Sequence, residues 1–156
     1  MSAELSQVAA PGAPARSWKP YPAYTDSGVE WLGKVPEHWD VIKLKFVDEV
    51  IMGQSPNSED YNKNGHGLPF LQGNAEFGNL NPIPINWCRT ANKSAMNGDV
   101  LLSVRAPIGA VNLADQKYGI GRGLCAIRAI KSNNKYLFYV CICLNDELNS
   151  IGVVPS

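Results

Sequence analysis

The sequence predicts an α+β domain, a several-stranded sheet with long polar loops and one closing C-terminal helix. Three observations lead there. Apolar segments of strand length recur between Leu68 and Ile130, each bounded by Gly, Pro or Asn. A stripe of apolar residues at helical spacing closes the chain after Asn134. The 14 Gly and 11 Pro among 156 residues demand many turns, which suits short elements.

Residues 1–19 are Ala- and Pro-rich, lack the apolar run of a signal peptide, and are expected to form a disordered leader. Residues 20–40 hold Tyr21, Tyr24, Trp31 and Trp39, close after Trp18 and beside Pro20, Pro22 and Pro36. This density predicts an extended aromatic arm pinned to the domain by ring burial. The domain itself is expected to fill residues 41–156. Val41, Leu44, Val47 and Val50 recur every three residues, which predicts a short helix with Asp40 as its N-cap.

Gly53 to Gly67 is a 15-residue polar stretch without an aliphatic side chain. Such loops within compact domains are usually functional or disordered. Leu68–Gln72 is a predicted strand and Ile83–Trp87 a weaker one. Asp99–Ala106 and Gly109–Ala114 read as two strands joined at Pro107. Gly123–Ile130 is almost continuously apolar and should be a central strand. Leu137, Val140, Cys141, Leu144 and Leu148 predict one helix over Asn134–Asn149, about 22 Å long and able to cover a sheet face.

The net charge is zero, but its distribution is uneven. Arg105, Lys117, Arg122, Arg128, Lys131 and Lys135 meet a single acid, Asp115, over that stretch. This excess is compatible with an anion-facing surface and equally with a solvated face. Cys88, Cys125, Cys141 and Cys143 show no zinc spacing and are expected as free, mostly buried thiols in a reducing cytosol. No stretch approaches the length of a membrane span. The sequence therefore predicts a cytoplasmic protein.

No catalytic centre is expected. His38 and His66 stand apart from any triad or metal pattern. Gly119-Ile-Gly-Arg-Gly123 has neither dinucleotide-fold nor Walker spacing, and its glycines read as a bend that presents Arg122. That Arg suits a DNA phosphate or a guanine edge, or it is a surface residue beside a turn. No cofactor and no metal are predicted.

Gln54 to Asn97 holds nine Asn and two Gln. These amides can pair bidentately with adenine, although Asn also favours turns. Asn64 before Gly65 and Asn97 before Gly98 read as turns. Gln54, Ser55, Asn57, Gln72 and Asn74 are the candidates for base contact. Tyr61 either stacks on a base or anchors its loop on the core. Arg105, before a stiff Pro107 and a flexible Gly109, is either a positioned cation or the partner of Asp99 or Asp115.

Several of these stretches, in this order, resemble the specificity subunits of type I restriction-modification systems. Tyr21-Pro-Ala-Tyr-Thr-Asp-Ser-Gly-Val-Glu-Trp-Leu-Gly-Lys-Val-Pro-Glu-His-Trp39 looks like their N-terminal signature. Gly53-Gln-Ser-Pro56, Tyr61, Gly67-Leu-Pro-Phe70, Gly98-Asp-Val-Leu-Leu-Ser-Val-Arg-Ala-Pro-Ile-Gly109, Gly121-Arg-Gly123 and Lys135-Tyr-Leu-Phe-Tyr139 continue the series. The resemblance implies sequence-specific binding of double-stranded DNA by a target recognition domain. It also implies partnership with methyltransferase and motor-nuclease subunits. Gln54, Ser55, Asn57, Tyr61, Gln72, Asn74, Arg105, Lys117 and Arg122 are the expected DNA-binding set. The chain departs from the family in carrying one recognition domain and lacking the long docking helix, which suggests a truncated product. A non-catalytic module competing for methyltransferase or other specificity subunits is the alternative expectation.

Overall fold

A computed structural model of the protein describes residues 19–152. The predicted leader, Lys19 apart, and Trp18 lie outside the described residues. The described residues divide into two compact units, parted after Val41.

In the first unit, β1 (Tyr24–Asp26) and β2 (Lys34–Pro36) form an antiparallel hairpin. Tyr21 packs edge-on against Trp39, with ring centroids 5.7 Å apart, and tilts against His38 at 5.2 Å. The hairpin itself does not enclose its rings. Tyr21, Tyr24, Trp31 and Trp39 are 44, 48, 50 and 47% exposed. Three-residue strands offer too little surface to cover rings of this size, so part of each ring faces water.

In the second unit the predicted short helix is absent. Residues 41–50 form no α-helix. Leu44–Phe46 is a single 3-10 turn, and the chain then extends as β3 (Glu49–Met52). The three-residue recurrence that suggested a helix is also the period of a 3-10 turn. The β-branched pair Val50–Ile51 favours strand, and pairing with a central strand decides the outcome.

Two sheets follow. The four-stranded sheet is antiparallel, in the order β3, β11 (Leu124–Arg128), β8 (Val100–Ser103), β9 (Val111–Leu113). The five-stranded sheet is mixed, in the order β4 (Tyr61–Asn62), β6 (Asn86–Cys88), β5 (Leu68–Leu71), β10 (Tyr118–Ile120), β7 (Ser94–Ala95). In it β5 and β10 run parallel. Two helices close the chain, α1 (Asn134–Cys143) and α2 (Asn145–Gly152).

β11 lies centrally, as its apolar run predicts, because both of its faces are covered. Leu124 and Ala126, with Leu101 of β8, enter a core with Leu71, Tyr118 and Ile120 of the neighbouring sheet. Cys125 and Ile127 face the other way, against Leu137 and Cys141 of α1. Alternate side chains thus serve two cores, which stack as sheet, sheet and helix. Burial of each large aliphatic side chain here contributes roughly 1.5–3 kcal/mol.

The expected single helix is broken at Leu144. Asn145 opens α2 and is a favoured helix starter, while Asp146 and Glu147 suit the positive end of the helix dipole. Asn133 caps α1 by accepting from the N–H groups of Lys135 and Tyr136. The turn before it is fastened by buried Asp48, which accepts from the N–H groups of Ile130, Lys131 and Ser132 and from the Ser132 hydroxyl. Burial alone would raise this carboxyl, but the four hydrogen bonds together hold it below the ordinary Asp value. Cys88, Cys125 and Cys141 are buried, Cys143 is exposed, and all four are free. Among the described residues no helix is long and apolar enough to cross a membrane.

Candidate nucleic-acid interface

Four chain segments meet at one rim, where the ends of the two sheets come together. Gly53 donates its N–H to the Leu124 carbonyl and Gln54 to the Ile120 carbonyl, both at 2.9 Å. Gly123 donates to the Gln72 carbonyl at 3.2 Å, and Val104 donates to the Gly123 carbonyl at 2.9 Å. Glycine is required at these crossings. A β-carbon on Gly53 would collide with the Gly121 carbonyl oxygen, and one on Gly123 would lie 2.6 Å from the Gln72 oxygen.

A polar triangle sits on this rim. The Gln72 amide donates from Nε2 to Ser55 Oγ at 3.1 Å, and the Tyr61 hydroxyl donates to Gln72 Oε1 at 3.2 Å. Ser55 Oγ also accepts a long bond from the Arg122 backbone N–H at 3.4 Å. The Tyr61 ring stands edge-on to buried Phe70, with centroids 5.0 Å apart. Burial pushes the Tyr61 phenol up, while Ser55 and the Arg122 charge act in the opposite direction. The ring therefore anchors its loop on the core, and the hydroxyl faces the polar cluster.

The remaining candidates fall into two groups. Gln54 and Asn57 are exposed along the same loop as Ser55, and Asn57 precedes a 3-10 turn at Ser58–Asp60. Asn74 is half-buried and opens the turn that follows Gln72, with buried Glu76 accepting from the Gly73 N–H. Arg122 is exposed at the tip of its bend. Arg105 is exposed on the β8–β9 turn, next to the Val104–Gly123 bond. Ser103 fastens that turn, its hydroxyl donating to the Pro107 carbonyl at 2.7 Å and accepting from the Ala110 N–H at 3.0 Å. Lys117 is not part of this gathering. It lies before Tyr118, at the opposite end of β10 from Arg122.

Arg128 does not belong to a free basic face. Its guanidinium is bidentate to nearly buried Asp99 and reaches Glu49 at 3.4 Å, and the Asp99 bonds raise its pKa above the ordinary Arg value. Asp115 accepts from the buried Tyr118 hydroxyl at 2.6 Å. Neither proposed acidic partner is thus paired with Arg105, whose guanidinium faces solvent. Lys131 lies beyond the far end of β11, its N–H bonded to the Val47 carbonyl.

Sequence reasoning passed over Lys93. It is exposed opposite Ile120, which donates to the Lys93 carbonyl at 3.0 Å, and so stands at the Arg122 end of β10. The signal was weak because β7, which follows it, has only two residues. Among the described residues no group of three His, Cys, Asp or Glu side chains could hold a metal. A depression of about 490 Å³ is lined by Phe46, Val50, Ile130 and Lys131, near the start of β3 and away from the rim. The rim is an open surface of amides, hydroxyls and guanidinium groups.

The family profile described as type I restriction modification DNA specificity domain matches residues 36–154. The chain belongs to this family. A protein of Methanocaldococcus jannaschii named as the specificity subunit of type I restriction enzyme MjaX is 44% identical over 126 residues, covering 78% of this chain and 29% of that protein. The specificity subunit of enzyme MjaIX from the same organism is 30% identical over 101 residues, covering 59% of this chain and 23% of the relative. Among solved structures, the HsdS subunit of Thermoanaerobacter tengcongensis is 41% identical with a TM-score of 0.73, covering 85% of this chain and 33% of that one. The specificity domain described here thus spans about a third or less of each relative. The predicted α+β class agrees with this likeness.

Proposed function

We propose that this specificity domain binds double-stranded DNA and reads its sequence through the rim built from Gln54, Ser55, Gln72, Arg105 and Arg122. One observation carries the reading. The amides and the cations, far apart in sequence, are brought to the same edge of the second unit. Guanidinium groups of Arg105 and Arg122, with Lys93, would meet phosphates and fix the register. Side chains of the Gln54–Asn57 and Gln72–Asn74 segments would meet base edges. Lys117 belongs to a weaker, outlying phosphate contact. The domain recognises its target, and the methylation and cleavage chemistry falls to methyltransferase and motor-nuclease partners.

The test is binding of a random-sequence duplex library at low salt. Counterion release makes affinity fall steeply with salt, by a log–log slope of about −2 to −4 for two to four phosphate contacts. Arg122→Ala and Arg105→Ala are each expected to reduce that slope by about one. A flat salt response would reject the reading.

The exposed rings of Trp31 and Trp39 favour a second role. The hairpin of the first unit would present them to a methyltransferase or another specificity subunit. Pull-down with the methyltransferase in the absence of DNA, compared for the chain and its Trp31→Ala variant, separates this role from DNA binding.

A further inference from the structure

We propose that Gln72 is a pre-oriented amide that reads the adenine of an A·T pair, with Ser55 and Tyr61 as the positioning residues that hold it. The proposal rests on the duplex-binding reading above and names the base class read by that rim. Four other amides of the domain are spent on the backbone. Asn62 closes the turn at His66, Asn81 donates to the Leu113 carbonyl, Asn112 to the Gly78 carbonyl, and Asn133 caps α1. Gln72 differs in being exposed while both amide atoms are held by other side chains.

Each holder is itself fixed. Tyr61 is fixed by its packing on Phe70, and Ser55 follows Gln54, whose N–H is bound to Ile120. The Gln72 main chain is tied through its carbonyl to Gly123. An exposed Gln ordinarily loses rotamer freedom when it binds, and this one has lost much of it beforehand. Its remaining valences are one N–H on Nε2 and one lone pair on Oε1. Adenine supplies the complement in the major groove, with N7 accepting and the N6 amino group donating. Guanine presents two acceptors there, which would set O6 against Oε1. Thymine offers an acceptor and a methyl group, and cytosine a donor alone.

The experiment is enrichment of bound duplexes from a random library, carried out with the chain and with Gln72→Glu, Tyr61→Phe and Ser55→Ala, each checked for an unchanged melting transition. The wild-type chain is expected to enrich adenine at one position, by roughly 5- to 150-fold over the other bases. Gln72→Glu should lose that preference and shift it toward cytosine, whose amino group a carboxylate accepts, with the other positions unchanged. Tyr61→Phe and Ser55→Ala should weaken the preference at this same position only. An identical motif from wild type and Gln72→Glu, or salt-sensitive binding with no preferred base, overturns the assignment of Gln72 and leaves the duplex-binding reading standing. Unchanged selectivity in both Tyr61→Phe and Ser55→Ala overturns the positioning role. Absence of salt-sensitive binding by the wild-type chain overturns the reading beneath it.

Discussion

Arg128 holds Asp99 through two parallel hydrogen bonds, Nε to Oδ1 at 3.1 Å and Nη2 to Oδ2 at 2.8 Å. Asp99 also accepts from the Met96 N–H at 2.8 Å. The pair ties the end of β11 to the start of β8. Arg128→Ala leaves Asp99 almost buried without its cation and is expected to cost about 2–3 kcal/mol of stability. It should leave the salt dependence of DNA binding unchanged. Arg122→Ala should do the reverse, with melting preserved and the salt slope reduced. Denaturant titration beside binding isotherms for the two variants checks the contrast.

Asp48 gives a pH-dependent prediction. Its folded pKa is depressed, so its contribution to stability is complete above the ordinary value of 3.8 and is lost as pH falls through the depressed value. Asp48→Asn, which loses acceptors for the 130–132 turn, should cost about 1–3 kcal/mol at pH 7. The gap between wild type and variant should shrink below about pH 4. Melting curves from pH 7 down to pH 2 measure it, and a constant gap would contradict the assignment.

Gly53 is the tightest crossing on the rim. In Gly53→Ala the new carbon would meet the Gly121 and Leu124 carbonyl oxygens. A loss of about 2–4 kcal/mol is expected, since backbone on both sides must shift. Gly73→Ala, with no atom within contact range of its added carbon, is the control. Its melting point should fall far less.

The thiols separate by exposure. Burial pushes Cys125 and Cys141 up to about 11, and Cys88 is buried with its Sγ donating to the Thr90 carbonyl. Cys143 is exposed. A thiol-reactive chromophore at pH 8 should label one of the four cysteines rapidly, with the other three reacting only in denaturant. Cys143→Ser should abolish the fast phase.

The sequence made the long-range frame legible where strands are buried on both faces. β5, β8 and β11 read as apolar runs because each contributes side chains to one core, and β9 packs Val111 and Leu113 on the second. β4, β7 and β10 did not, because two or three residues carry no periodicity and Gly119 weakens the strand signal of β10. The helix expected at 41–50 gave way to β3 because pairing with β11 outweighs a local three-residue recurrence. For the rim, amide-rich composition pointed to the 53–57 and 72–74 segments, which the fold brings together. Arg128 was misread as a free cation because its partners Asp99 and Glu49 lie 29 and 79 positions away. Lys117 was grouped with Arg122 by nearness in sequence, yet one strand carries them to opposite ends.

The bond from the Arg122 N–H to Ser55 spans 67 positions of the chain. A surface sewn together over such distances has no counterpart in any short peptide cut from it. Loops 53–57 or 121–123, synthesised alone, would keep the lettering and lose the page. Transplanting such a surface to another protein would mean moving the seam between the sheets along with the residues displayed on it.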